Sequence, residues 1–203
     1  MIESAKNDSE PIAWARAGAW LFRQRTWIPV PLALVLLGVP ASAGSSDVPI
    51  VVGIFIVIGG EVLRLWAVHH IGAISRTRSD RLGPLVSSGP FAIVRNPLYL
   101  GNIALWVGFA VTARLVWAVP LFIAVLGAEY HAIVRWEEHL LEARRGEEYR
   151  AYAARVPRWI PGLHSGPPVR PSAHSWGDTL FSERGTLIAI AAGGVLVWLK
   201  SQS

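Results

Sequence analysis

Residues 50–71 read IVVGIFIVIGGEVLRLWAVHHI, an apolar run interrupted only by Glu61, Arg64 and a closing histidine pair. A hydrocarbon core ~30 Å thick needs about 20 mainly apolar residues to cross it. No water reaches the backbone there, so a crossing segment of this kind must be helical. Three further stretches come near that length: 97–113, 115–135 and the shorter 27–41, which holds Pro29, Pro31 and Pro40 but no charge. A fifth, 186–199, is only 14 residues long. Composition agrees, with 52% hydrophobic and 16% charged residues where a soluble domain carries roughly 25% charged. The expected fold is all-α: a polytopic transmembrane helical bundle of about five spans in contact with the lipid bilayer. The chain has no Cys, which excludes disulfides, Cys-ligated metal centres and a cysteine nucleophile.

A net charge of +5 raises the question of nucleic acid, and the placement of the positive charges answers it. With the N-terminus on the cytoplasmic side, 16 of the 19 Lys and Arg fall inside. Only Arg114 and Lys200 fall outside, and Arg64 lies within a span. That split follows the positive-inside rule. No basic stripe with interleaved aromatics is present, so no nucleic-acid partner is expected. The expected location is a bacterial inner membrane.

Organisation follows from the same pattern. Residues 1–26 carry Glu3, Asp8 and Glu10 among their basic groups, have no apolar core and read as a cytoplasmic segment rather than a signal peptide. Residues 27–161 form the membrane core. Residues 162–179 are rich in Pro, Ser, Gly and His and read as a linker, and 180–203 as a C-terminal hydrophobic anchor.

Ionisable groups inside spans are costly and mark sites by default. Glu61 and Arg64 lie three apart on one helical face, close enough to pair. Six of the chain's 14 acids fall between Glu129 and Glu148, where the fourth span ends. Metal is not expected: His69, His70, His131 and His139 are too few and wrongly spaced for a membrane di-iron site.

Two motifs border the third and fourth spans. The first runs from Leu82 through Gly83, Pro84, Leu85, Val86, Gly89, Phe91, Arg95, Asn96, Pro97, Leu98 and Tyr99 to Gly101. Asn96 before Pro97 predicts a helix start, with Asn as cap and Pro at the first helical position. The amides of such a start, beside Arg95, make an anion site. The second motif comprises Glu137-Glu138, then Gly146-Glu147-Glu148-Tyr149, Tyr152, Arg155 and a close at Val156-Pro157-Arg158. It predicts an amphipathic helix over 137–145 along the cytoplasmic face and a second over 147–155, ending before Pro157. The two spans are antiparallel neighbours joined by a tight outer turn. Their inner ends must meet, which brings Asn96 and Tyr99 to Glu137 and Glu138.

In this order and spacing, over roughly residues 70–161, the motifs resemble the isoprenylcysteine carboxyl methyltransferase and phospholipid methyltransferase superfamily. Its hallmark is Gly-x-Tyr, then Arg-His-Pro-x-Tyr-x-Gly, then after a span Glu-Glu, Gly-x-x-Tyr-x-x-Tyr and Val-Pro. The resemblance implies an integral membrane enzyme using S-adenosylmethionine (SAM), with short cytoplasmic helices forming the cofactor site. It places cofactor contacts at Gly83, Pro84, Leu85, Val86, Phe91, Asn96, Pro97, Leu98, Tyr99 and Glu137. It places substrate-side arginines at Arg95 and Arg155, with Glu138 or His131 as candidate base for an amine or thiol acceptor. Two positions depart from the family pattern: Asn96 stands for His and Phe91 for Tyr. The implied acceptor is lipophilic or small, carrying a carboxylate, amine or thiol. The alternative is a non-catalytic membrane protein that keeps the fold.

Overall fold

A computed structural model describes residues 10–25, 27–42, 46–72, 85–162 and 174–201. Among the described residues are seven α-helices: α1 (Glu10–Gln24), α2 (Pro29–Gly38), α3 (Val48–Ile71), α4 (Pro97–Thr112), α5 (Val119–Arg145), α6 (Glu147–Arg155) and α7 (Trp176–Ser201). The described residues contain no strand, and the all-α expectation holds. Val48–Ile71, Val116–Arg145 and Trp176–Lys200 are long and apolar enough to cross a membrane, while Pro29–Gly38 and Pro97–Thr112 are shorter apolar helices. The protein is an integral membrane protein.

Local chemistry accounts for the shorter pieces. α2 has proline in its first turn, where a missing N–H costs nothing, and stops two residues before Pro40. Its 10 residues reach only about 15 Å at ~1.5 Å per residue. α6 ends at Arg155 because Pro157 holds the residue before it in extended backbone, as expected. One expectation is corrected. Residues 137–145 are not a separate helix along the membrane face; they continue α5 without a break to Arg145. Between Glu129 and Arg145 there is no Gly or Pro to interrupt the hydrogen-bond ladder. At 27 residues the helix runs about 40 Å, longer than the ~30 Å core, so its last turns stand clear of the hydrocarbon.

The bundle is closest between α3 and α4. Gly53 and Gly60 on one helix face Gly108 and Gly101 on the other. A Cβ built on Gly60 would stand 2.9 Å from the Gly101 carbonyl, and one on Gly108 2.8 Å from that of Gly53. Two glycine pairs, seven residues apart on each antiparallel helix, let the backbones touch in the manner of membrane small-residue packing. The apolar core joins Leu32 and Leu36 of α2 to Phe122, Leu126 and Ile133 of α5, with Val197 of α7. Large apolar side chains face outward instead, Phe55 at 70% exposure and Phe181 at 67% among them. Such faces are costly in water and suit lipid.

α1 packs along α5: Gly18 lies on the Ala132 carbonyl and Trp136, and the Phe22 ring meets Trp136 at 5.0 Å. α7 is attached at three levels. Near its start the Trp176 ring stacks on His69 at 4.0 Å and Thr179 meets the same imidazole at 3.2 Å. At mid-height Glu183 pairs with Arg64 at 2.7 Å. At its far end Lys200 Nζ donates to the Leu36 carbonyl at 2.6 Å.

Candidate functional site

The end of the bundle where α4 begins and α5 finishes gathers most of the residues singled out from sequence. Antiparallel packing lays Tyr99, in the first turn of α4, against Glu137, and the phenol donates to Glu137 Oε1 at 3.0 Å. The Tyr99 ring also rests on Tyr130, centroid to centroid 4.8 Å.

Beside this pair, Glu138 is gripped by two arginines. Arg95 Nη1 lies 3.1 Å from Oε1. Arg158 donates from Nε to both oxygens, at 3.0 and 3.1 Å, and from Nη2 to Oε2 at 2.6 Å. Arg95 and Glu138 are largely buried, with side-chain exposures of 14% and 13%. Charge-assisted bonds of this geometry are the strong ones. Arg95 Nη1 further donates to the Tyr149 hydroxyl at 3.3 Å. Burial, reinforced by the Glu138 charge, pushes the Tyr149 hydroxyl up to about 12. The bond to Glu138 holds the Arg158 guanidinium above its usual range. Arg95 Nε is buried and has no hydrogen-bond partner among the described residues.

The chain after α6 folds back to close this corner. Arg95 N–H donates to the Pro157 carbonyl at 2.9 Å and Gly162 N–H to that of Ile93 at 3.0 Å. The Tyr152 hydroxyl donates to the Phe91 carbonyl at 2.8 Å. Tyr149, Tyr152 and Val156 form the inward stripe of α6, and Leu85 packs against it. Burial raises the Tyr152 hydroxyl above its ordinary range. Gly89 takes φ +58° directly under the His70 ring, where a Cβ would overlap the imidazole. Its close approach is thus to His70.

The sequence-derived residues divide clearly. Arg95, Asn96, Pro97, Tyr99, Glu137 and Glu138 come together, and Phe91 is buried beneath Tyr152. Leu98 and Val86 are half-buried nearby on the same segments. Gly83 and Pro84 lie outside the described residues. Asn96 stands at the cap position, but its side chain makes no capping bond. It donates instead to the Arg158 carbonyl at 3.1 Å, a competing acceptor delivered by the returning strap. The first turn of α4 is left without a side-chain cap.

Arg155 does not join the cluster. It is exposed and its Nε donates to its own helix at Ala151, 3.2 Å away. Helical rotation explains this: 149, 152 and 156 share one face, and 155 lies off it. Arg158, past the proline, occupies the position instead. Its one sequence signal was Val156-Pro157, which turns the following residue back toward Asn96. His131 is exposed and accepts from the Trp159 indole at 3.4 Å. Glu129 is buried, and neither of its oxygens has a hydrogen-bond partner among the described residues.

The pattern that defines the phospholipid methyltransferase family matches residues 48–147, from the start of α3 to the start of α6. Over these residues the chain matches the phospholipid methyltransferase family, consistent with the wider phospholipid and isoprenylcysteine methyltransferase superfamily. Among similar proteins is protein-S-isoprenylcysteine O-methyltransferase B of Arabidopsis thaliana, 30% identical over 54% of this chain and 57% of that protein. The nickel-cobalt-cadmium resistance protein NccN of Alcaligenes xylosoxydans xylosoxydans is 31% identical over 55% of this chain and 49% of its own length. The cobalt-zinc-cadmium resistance protein CzcN of Cupriavidus metallidurans is 29% identical over 80% and 76%. The match thus spans about half the length of NccN and of the plant methyltransferase. No solved structure matches the chain.

Proposed function

We propose that this protein is a SAM-dependent methyltransferase of the membrane, acting at the cytoplasmic face on a lipophilic or small acceptor that presents a carboxylate, amine or thiol. The observation that carries the reading is the Tyr99–Glu137 pair across the α4–α5 seam, beside a buried guanidinium with one nitrogen unengaged. The amino-acid end of SAM bears an ammonium and a carboxylate. The Glu137 carboxylate supplies the acceptor for the ammonium, and the Arg95 Nε–H and the uncapped first turn of α4 supply donors for the carboxylate. When bound, SAM contributes an activated methyl group on a sulfonium.

The protein's part is binding, orientation and exclusion of water. Glu137 holds the ammonium and is itself aimed by the Tyr99 phenol. Glu138 has both oxygens engaged by arginines, so its role is to fix Arg95 rather than to take a proton. The strap over 156–162 covers the corner and keeps water from it. A carboxylate acceptor needs no base at all, only a cation to orient it.

Thermal unfolding of detergent-purified protein tests the reading. SAM raises the melting temperature of the wild type, and Glu137→Ala removes the rise, with affinity reduced roughly 10- to 100-fold for a lost bond to a charged group. No rise at millimolar SAM sinks the proposal. A rise without transfer of labelled methyl to any membrane lipid or thiol would point to the non-catalytic alternative.

A further inference from the structure

The pair Glu61–Arg64 is buried within the bundle, away from the methyltransferase corner, and it is the centre of something larger. Arg64 uses every nitrogen of its guanidinium. Nε donates to Glu61 Oε2 at 3.1 Å on its own helix, Nη1 to Asn102 Oδ1 of α4, and Nη2 to Glu183 Oε2 at 2.7 Å and Thr186 Oγ1 at 3.4 Å on α7. The Arg64 and Glu183 side chains are 11% and 2% exposed. The Arg64 stem also presses on Gly101, where an added Cβ would lie 2.5 Å from Cγ. Three helices are therefore registered on one side chain.

Asn102 passes this registration on. Its carbonyl oxygen faces Arg64, and its side chain lies beside the hydroxyl of Tyr130 on α5. Tyr130 in turn carries the Tyr99 ring, and Tyr99 donates to Glu137. Tyr99 and Asn102 share one face of α4 at i and i+3, and Tyr130 and Glu137 share one face of α5 at i and i+7. The two contacts are successive rungs between antiparallel helices. The upper rung is held by the Arg64 node and the lower rung is the cofactor site.

We propose that Arg64 and Glu183 are positioning residues for the cofactor site, acting through Asn102 and Tyr130 on Tyr99 and Glu137. The inference rests on the functional reading above, in that Glu137 is taken to hold SAM. It extends the site to α7, a helix beyond the stretch matched by the family pattern. The ion node is more than a clamp in this arrangement. Releasing Arg64 from Glu183 frees the guanidinium to swing, shifts the Asn102 amide and loosens the Tyr99–Tyr130 ring contact. A node that served only to hold α7 in place would leave the affinity of the folded protein for SAM unchanged.

The test is a double-mutant cycle between Glu183→Gln on α7 and Tyr130→Phe on α5, side chains that do not share a contact. Equilibrium binding of labelled SAM is measured on folded protein in nanodiscs, with Lys200→Met as a control that frees the other end of α7. Each single change weakens SAM about tenfold, and the double change does little more than either alone, because both cut one chain of contacts. Glu183→Asp, which keeps the charge, restores most of the affinity, and Lys200→Met leaves it at the wild-type value. Wild-type affinity in Glu183→Gln, or fully additive losses, overturns the inference while leaving the functional reading intact. A wild type that does not bind SAM overturns both. Should Glu183→Gln fail to fold, Thr186→Val replaces it in the same cycle, with a smaller expected loss and the same non-additivity.

Discussion

Two clusters in this molecule are built from the same parts, arginine and glutamate, and put them to different use. Around Arg64 every guanidinium nitrogen is engaged, and the partners come from three helices. Around Glu138 the carboxylate is the saturated member, gripped by Arg95 and Arg158, while Arg95 keeps one buried nitrogen without a partner among the described residues. The first arrangement spends its hydrogen-bonding capacity on holding the bundle. The second holds some in reserve at the end of the bundle where α4 begins and α5 finishes. Burial of charge is expensive in either place. A buried donor left without an acceptor costs free energy, and that cost distinguishes the Arg95 corner from the Arg64 node.

The sharpest contrast is between Arg64→Leu and Arg95→Leu. Removing Arg64 takes the shared cation away from the buried Glu61 and Glu183 carboxylates and destabilises the fold by about 3–5 kcal/mol, read as a large drop in melting temperature. Removing Arg95 leaves Glu138 on Arg158, so the cost is only about 1 kcal/mol while SAM binding is lost. Equal destabilisation by the two changes would erase the distinction. Next in size is Gly60→Ala, which forces α3 off α4 beside the Arg64 node. We expect a loss of about 1–3 kcal/mol from overpacking, whereas Gly127→Ala, with open space at its Cβ, costs nothing measurable by the same thermal unfolding. The smallest effect separates two neighbouring arginines. Arg158→Ala weakens SAM binding several-fold by loosening Glu138 and hence Arg95, and Arg155→Ala leaves it unchanged. A reversed order would restore the assignment expected from sequence.

Much of this was legible before any coordinates. The apolar runs give the spans, because only helices satisfy a backbone in lipid. Pro157 gives the end of α6, and the short turn between α4 and α5 brings Tyr99 to Glu137. Other features were not legible. The fifth apolar stretch, at 186–199, left Glu183 outside the span, yet α7 begins at Trp176 and carries that acid to Arg64. The N-cap rule for Asn96 was overridden by a carbonyl 62 residues away. Arg155 and Arg158 are alike in composition and spacing, and only the rotation of α6 and the turn at Pro157 decides which one faces Glu138.

Periodicity, apolar length and proline placement act within one element, so they settle where helices begin and end and which residues share a face. The fold class, the pairing of Glu61 with Arg64 and the meeting of the two motifs all follow from such short-range rules. Which charge meets which across helices depends on crossing angle and rotation, set by the glycine contacts of α3 and α4 and by the return of the strap. The choice of Arg158, the reach of Glu183 and the free nitrogen of Arg95 belong to that second level. They depend on distances between elements that no local signal in the chain encodes.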